Sequence, residues 1–142
     1  MDEILELTIQ NQIAEISEVY LRFEVFAEQL QLPSQIVGTM QIVFEELLSN
    51  IINYSYRDEE RHEIVIKVHI FADHLRVIII DDGMPFNPLD AETPDTTLSL
   101  EEREVGGLGV HIVRTMTDSI SYERDGNKNV ATVVMNIGSE EG

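Results

Sequence analysis

The spacing of hydrophobic positions changes along this 142-residue chain, and each spacing predicts one kind of element. Leu5, Leu7 and Ile9 alternate with polar residues, as they would in a strand with one buried face. After Asn11, which can cap a helix, apolar residues recur at helical spacing as far as Leu30. The first segment therefore predicts a strand followed by a helix.

A second helix is predicted from about Gln35 to Tyr54. Pro33 interrupts the helical pattern before it, and Ser34 is well placed to cap the new helix. An apolar stripe at helical spacing gives this helix one buried face. The stripe consists of Val37, Met40, Phe44, Leu47 and Ile51.

A pair of strands is predicted next. Apolar residues alternate from Ile64 to Ile70, Ala72-Asp73 forms a turn, and Leu75 to Ile80 is almost wholly apolar. This second strand ends abruptly at Asp81-Asp82-Gly83. The pattern therefore predicts that the carboxylate of Asp81 lies at the end of a buried strand.

The remaining segment predicts a long loop, a helix and a hairpin. Residues 84–105 are rich in turn formers and acids, and so long a loop inside one domain is typical of a functional lid. The glycine cluster at residues 106–109 opens a helix that runs to about Asp118. Asp125-Gly126-Asn127 joins two last strands, and the tail 138–142 is predicted to be disordered.

The element order predicts an α+β fold made of one domain over residues 1–142. We expect a two-layer sandwich in which helices cover one face of a mixed, mostly antiparallel sheet. Hairpins favour antiparallel pairing, and the helices have apolar stripes that only the sheet can cover.

Composition narrows the classes of function. Acidic residues outnumber basic ones 27 to 9, and the formal net charge is −18. So negative a surface repels nucleic-acid backbones and anionic lipid, so neither nucleic acid nor membrane is expected as a partner. The chain has no cysteine and no apolar run of about 20 residues, so we expect a cytoplasmic protein without disulfides.

The second helix contains one candidate catalytic pair. Glu46 and Asn50 are four residues apart and therefore neighbours on one face. A carboxylate can take a proton from a hydroxyl, and an amide oxygen is a hard ligand suited to Mg²⁺. Glu45 and Ser49 have the same spacing, so spacing alone does not choose between the two glutamates.

Two further clusters are compatible with a nucleotide site, although Asp82-Gly83 alone is equally typical of an ordinary turn and a glycine cluster alone is a weak signal. A buried carboxylate at Asp81, before the glycine turn at Gly83, could accept a hydrogen bond from an exocyclic amine such as adenine N6. The glycines at 106–109 would let backbone N–H groups approach a phosphate at a helix start. Their pattern fits neither the P-loop nor the Rossmann fingerprint.

In this order the clusters resemble the GHKL superfamily of histidine-kinase-like ATPases, which includes histidine kinases, gyrase-type topoisomerases and heat-shock chaperones. The resemblance covers residues from about 5 to 137, and it implies the histidine-kinase-like (Bergerat) fold. The resembling motifs are Glu46-x-x-x-Asn50, Asp81-x-Gly83, Gly107-Leu108-Gly109 and Ala131-Thr132. The stretches Asp-Asp-Gly-Met-Pro-Phe-Asn-Pro and Gly-Gly-Leu-Gly-Val-His-Ile-Val-Arg look most like the anti-sigma-factor serine kinases.

The resemblance implies ATP and Mg²⁺ as cofactors and a role for each matched residue. Glu46 is expected to be the general base, Asn50 to hold Mg²⁺, and Asp81 to select adenine with support from Thr132. Other nucleotide-binding positions carried over are Gly83, Gly106, Gly107, Leu108 and Gly109. The acidic loop is expected to be the ATP lid.

The implied activity is phosphorylation of a serine on a small anti-sigma-factor antagonist, by a protein that also holds a sigma factor. A homodimer is a further expectation. The chain lacks the fuller Gly-x-Gly-Leu-Gly form, and its lid holds one basic residue, Arg103. These departures leave open a non-catalytic switch whose ATP sets partner affinity. A histidine-kinase fragment is disfavoured, because the pattern predicts no phosphoacceptor helices. His62-Glu63 resembles the phosphoacceptor of sensor kinases, but it leads into a strand pattern rather than a dimerisation helix.

Overall fold

A computed structural model describes residues 3–86 and 112–137 of the chain. It contains a five-stranded sheet in the order β1-β2-β3-β5-β4, and every pair of neighbouring strands is antiparallel. A single 3-10 turn, Ile13–Glu15, precedes the first helix, and residues 112–116 are helical. The elements are β1 (Glu3–Gln10), α1 (Ile16–Gln29), α2 (Ser34–Tyr54), β2 (Glu63–Ile70), β3 (His74–Asp81), β4 (Ser119–Asp125) and β5 (Lys128–Asn136).

The core lies between one face of the sheet and the two helices, as the sequence predicted. Side chains alternate along a strand, so every second residue of β2, β3 and β5 is buried. Phe23 of α1 and Phe44 of α2 are fully buried and meet edge to face, with ring centroids 5.4 Å apart. The buried rows are Ile64, Ile66, Val68 and Ile70 in β2, Leu75, Val77, Ile79 and Asp81 in β3, and Asn129, Ala131, Val133 and Met135 in β5.

The α+β two-layer fold is therefore confirmed, and the pairs among the described strands are antiparallel throughout. None of the described helices is long and apolar enough to cross a membrane.

Two predicted helix caps are wrong. The Asn11 side chain does not cap the first helix: its Oδ1 accepts a hydrogen bond from the His62 backbone N–H at 2.9 Å. The 3-10 turn instead begins after Gln12, which gives no side-chain cap. Ser34 is the first residue of α2, after Pro33 at the N-cap. The Asn11 side chain, which the local sequence predicted as a cap, instead forms a long-range hydrogen bond with His62, just before β2.

Register places one acidic residue on the buried side of the sheet. Asp81 continues the inward row of β3 and pairs with Asn129 of β5. Leu47 and Ile51 of α2 are buried and, with these two residues, line one cavity. The two central strands and α2 thus bring a carboxylate and an amide to one edge of the core.

Candidate functional site

Asp81 is a carboxylate inside the core, only 2% exposed. Its Oδ1 accepts hydrogen bonds from the Gly83 backbone N–H at 2.8 Å and from Asn129 Nδ2 at 2.9 Å. Burial raises the pKa of the Asp81 carboxyl above its ordinary value, against the opposing effect of these two hydrogen bonds. A carboxylate this deep, with one oxygen held, is typical of a binding group.

A narrow cavity of about 10 Å³ opens at Asp81. Its walls are mostly apolar, and its polar side chains, Asp81, Asn129 and Tyr122, are joined by hydrogen bonds. The chemistry of these walls suits the edge of a flat heterocycle, which would pack against aliphatic and aromatic side chains and donate one hydrogen bond to the carboxylate. The lining residues are Leu47, Ile51, Asp81, Phe86, Tyr122, Asn129 and Ala131.

Asn129 is the polar partner of Asp81 that the sequence analysis missed. It is 3% exposed, and its Nδ2 also donates to the Met84 carbonyl at 2.7 Å. On its other side, Oδ1 accepts hydrogen bonds from Tyr122 Oη and from Arg124 Nη1. The signal was present: the turn at 125–127 sets the alternation of β5, and Asn129 is a polar residue at an inward position.

Gly83 is required by close packing between two backbones. A Cβ at this position would lie 2.4 Å from the Ser55 carbonyl oxygen and 2.7 Å from the Ser55 Cβ. The next residue, Met84, donates its N–H to that same carbonyl at 2.7 Å. The sequence predicted that Gly83 lets the chain approach a nucleotide, whereas the described contact is with the C-terminal end of α2.

The Glu46–Asn50 pair lies on α2 beside the residues that line the cavity. Asn50 is buried at 5% exposure and precedes Ile51, and Glu46 is half-buried and precedes Leu47. Burial, and then the neighbouring charge of Glu45, raise the pKa of Glu46.

The two adjacent glutamates differ in surroundings. Glu45 is exposed and accepts a hydrogen bond from the Tyr20 hydroxyl. No described residue donates to the side chain of Glu46. The two glutamates thus differ in burial and in hydrogen bonding, a difference that helical spacing does not show.

Thr132 requires a correction. It pairs with Ile78 and lies between the inward residues Ala131 and Val133, so its side chain is on the face of the sheet away from Asp81. Asn129 and Ala131 are the β5 residues that line the cavity. The dipeptide resemblance did not determine which residue of β5 points inward.

Several predicted positions lie outside the described residues. These are Gly106, Gly107, Leu108 and Gly109, Arg103 and most of the predicted lid, and the tail 138–142. Their roles stay predictions.

His62 belongs to a separate cluster beside this site. Its ring lies 2.8 Å from Asp58 Oδ1 and 3.1 Å from Asp82 Oδ1, and it stacks on Tyr56 with centroids 4.4 Å apart. The hydrogen bond to Asp58 raises the pKa of His62. His62 immediately precedes β2, which begins at Glu63. The sequence analysis predicted a strand here rather than a helix. It ties the connector before β2 to the residue after Asp81.

Comparison with known proteins agrees with this geometry. Residues 9–135 match the model of the family described as histidine kinase-like ATPase domain. The chain is 24% identical to serine-protein kinase RsbW of Bacillus velezensis over 91% of this chain and 83% of that protein. It is 28% identical to serine-protein kinase RsbW of Listeria innocua over 70% of this chain and 67% of that protein.

A solved structure shows the same fold. The catalytic domain of histidine kinase ThkA matches with a TM-score of 0.54 and 20% identity, over 97% of this chain and 99% of that one. The family match spans most of the chain and includes Glu46, Asn50, Asp81 and Gly83. The predicted resemblance is therefore confirmed, and this protein belongs to the histidine kinase-like ATPase domain family.

Proposed function

We propose that this protein binds ATP with Mg²⁺ and phosphorylates a serine on a small anti-sigma-factor antagonist. The observation that carries the proposal is the buried Asp81 carboxylate, which opens into an apolar cavity beside the Glu46–Asn50 pair. Its similarity to serine-protein kinases of the RsbW type supports the choice of a serine hydroxyl as the acceptor.

In this proposal the cavity widens on binding and admits the adenine ring. Leu47, Ile51 and Phe86 supply apolar surface for the faces of the ring. Asp81 accepts a hydrogen bond from the exocyclic N6 amine. A carboxylate that has lost its water gains more from this bond than an exposed one would, because its alternative is an unpaired buried acceptor.

Asn50 is the protein ligand for Mg²⁺. No group of three or more His, Cys, Asp or Glu side chains suited to a metal occurs in the described parts of the chain. A single amide oxygen fits Mg²⁺, which keeps several waters and is held largely by substrate phosphates. When bound, Mg²⁺ neutralises phosphate charge, which matters in a chain with a net charge of −18.

Glu46 is the general base. It takes the proton of the serine hydroxyl as the serine oxygen bonds to the γ-phosphorus. The bond between that phosphorus and the bridging oxygen breaks, and ADP leaves. The raised pKa of Glu46 increases its affinity for this proton.

An open groove next to Glu46 offers a place for the serine-bearing segment. It has a volume of about 320 Å³ and is lined by Tyr20, Gln41, Ile42, Glu45 and Glu46. Glu46 lines this groove, and the next residue, Leu47, lines the cavity proposed for adenine. Glu46 thus lies between the proposed nucleotide and the proposed protein substrate.

The partners are a sigma factor, which the protein sequesters, and its antagonist, which the protein phosphorylates. We place this activity in the cytoplasm, where sigma factors act. A homodimer stays a prediction from the family resemblance.

The test is calorimetric titration with ATP, with and without Mg²⁺, of the wild-type protein and of Asp81→Asn. We expect binding that needs Mg²⁺ and weakens at least about a hundredfold in the variant, since a donor replaces the acceptor that faces the base. Equal binding by both proteins would contradict the assignment of Asp81. If ATP binds and alters partner affinity but no phosphoryl group is transferred, the protein is the non-catalytic switch instead.

A further inference from the structure

Asn129 has every hydrogen-bonding position of its side-chain amide occupied. Its Nδ2 donates to Asp81 Oδ1 and to the Met84 carbonyl, at 2.9 and 2.7 Å. Its Oδ1 accepts from Arg124 Nη1 at 3.0 Å and from the Phe86 backbone N–H at 3.2 Å. The hydroxyl of Tyr122 donates to the same oxygen.

These partners fix which way the amide points. A guanidinium and a backbone N–H only donate, so the atom that faces Arg124 and Phe86 must be the oxygen. A carbonyl only accepts, so the atom that faces Met84 must be the nitrogen. Asp81 therefore receives an N–H from Asn129, and no rotation of the amide offers it an oxygen without breaking these bonds.

As a consequence, the two carboxylate oxygens of Asp81 have different hydrogen-bonding surroundings. Oδ1 is occupied by the N–H groups of Gly83 and Asn129. No described residue donates to Oδ2, while Asp81 itself lines the cavity. Asp81 thus presents one acceptor of fixed direction to whatever enters.

The charge of Asp81 depends on the same contacts. Burial and the charge of Asp82 raise the pKa of Asp81, while the hydrogen bonds from Asn129 and Gly83 and the charge of Arg124 lower it. Tyr56 and Tyr122 are the nearby titratable hydroxyls, and α2 contributes the apolar Leu47 and Ile51. Asn129 is therefore one of few groups that favour the ionised form.

Protonation decides which purine the carboxyl can bind. An ionised carboxylate only accepts, and it matches the N6 amine of adenine. A protonated carboxyl also donates, and it matches the 6-oxo group of hypoxanthine or guanine. We propose that Asn129 is a positioning residue for base selection, which makes the cavity prefer a 6-amino purine by holding Asp81 as a pure acceptor. This inference rests on the proposed binding of the base at Asp81.

The experiment measures binding of ATP and of ITP, its 6-oxo counterpart, from pH 5.5 to 8. Wild type is compared with Asn129→Ala and Asn129→Asp. The first variant removes the donor to Asp81. The second keeps an acceptor for Arg124 and Phe86 but sets a second carboxylate against Asp81. Asn136→Ala is the matched control, because Asn136 is on the same strand and its side chain bonds only Asp118 among the described residues.

In Asn129→Ala we expect the dissociation constant for ATP to rise about tenfold and that for ITP to rise less, so the preference for ATP narrows. On acidification, ATP binding should fail at a higher pH than in wild type, because Asp81 takes up its proton sooner. Asn129→Asp should shift both properties further, and Asn136→Ala should shift neither. Circular dichroism checks that each variant is folded.

A merely structural role for Asn129 would weaken both nucleotides equally and leave the pH profile unmoved. An unchanged ATP-to-ITP ratio and pH profile in folded Asn129→Ala and Asn129→Asp would overturn the inference, while ATP binding by wild type would still support the proposed function. Failure of wild type to bind ATP would overturn the proposed function itself.

Discussion

Two carboxylates of the site, Asp81 and Glu46, have opposite surroundings. Asp81 ends a central strand, is almost fully buried and has one oxygen held by two N–H groups. Glu46 is on a helix, half-buried, beside a second glutamate, and no described residue donates to its side chain. Burial raises the pKa of both, but hydrogen bonds oppose the rise only at Asp81.

This difference suits two different tasks. A group that recognises a base must present a fixed atom in a fixed charge state, which neighbouring donors and close packing provide. A group that takes a proton during a reaction must change its charge state, which a network of donors to the carboxylate would resist. The two ends of the site can therefore be separated by mutation.

The largest effect is expected at the Glu46 end. Glu46→Gln keeps the shape of the side chain but removes its ability to take the serine proton. We expect phosphoryl transfer to the cognate antagonist to fall by about 10²- to 10⁴-fold, while the dissociation constant for ATP changes less than about twofold, within ordinary measurement scatter. Single-turnover transfer and ATP titration measure the two quantities.

Glu45→Gln is the matched control for this change. It removes the neighbouring negative charge, which should lower the pKa of Glu46 and move the acid limb of the transfer profile to lower pH. In the proposed mechanism Glu46 acts in its ionised form, so we expect activity to fall as the pH drops through that pKa in either protein. Transfer that survived intact in Glu46→Gln would show that the two carboxylates do not differ in the way proposed here.

The next largest effect is expected at Gly83, whose backbone N–H donates to Asp81. Gly83→Ala places a methyl group 2.4 Å from the Ser55 carbonyl oxygen, and neither backbone can yield without breaking the hydrogen bond from Met84. We expect the free energy of unfolding to fall by about 2–4 kcal/mol, measured by urea denaturation. ATP affinity should fall as well, because Gly83 also donates to Asp81.

Gly38→Ala is the matched control for Gly83→Ala. Gly38 is exposed on α2, and a Cβ there would meet no atom within 4 Å. This change should raise the free energy of unfolding by up to about 1 kcal/mol, the helix propensity gained over glycine. Equal free energies of unfolding for Gly83→Ala and Gly38→Ala would contradict the close packing of Gly83 against Ser55.

The smallest effect concerns stability at Asp81 itself. In Asp81→Asn the amide oxygen can still accept from Gly83 and Asn129, while the buried charge is gone. The folded-state pKa of Asp81 is raised, so its ionisation opposes folding as the pH rises through that value. We expect the variant to be more stable than wild type at pH 7 by up to about 1 kcal/mol.

Thermal unfolding as a function of pH measures this difference. It should shrink as the pH falls through the raised pKa, since both proteins are then neutral at this position. A variant less stable than wild type at every pH would mean that the hydrogen bonds to the ionised carboxylate outweigh the cost of burying it.

Local sequence patterns were enough to predict the elements and their order. Apolar periodicity located α2 and the strands, because local spacing alone decides which residues can share one face. The same patterns predicted Asp81 at the end of a strand and Glu46 next to Asn50 on one helix face, since both follow from short-range geometry. The order of the motifs then identified the family.

Local patterns did not predict which side chains contact each other, because those contacts are long-range. Asn129 bonds Asp81 from 48 residues away, and Asn11 bonds His62 from 51 residues away. The need for glycine at 83 comes from Ser55, at the end of another element. The choice of Asn129 and Ala131 over Thr132 depended on the face that β5 turns inward. Each of these contacts depends on strand register and helix docking, which the burial of the whole core fixes at once.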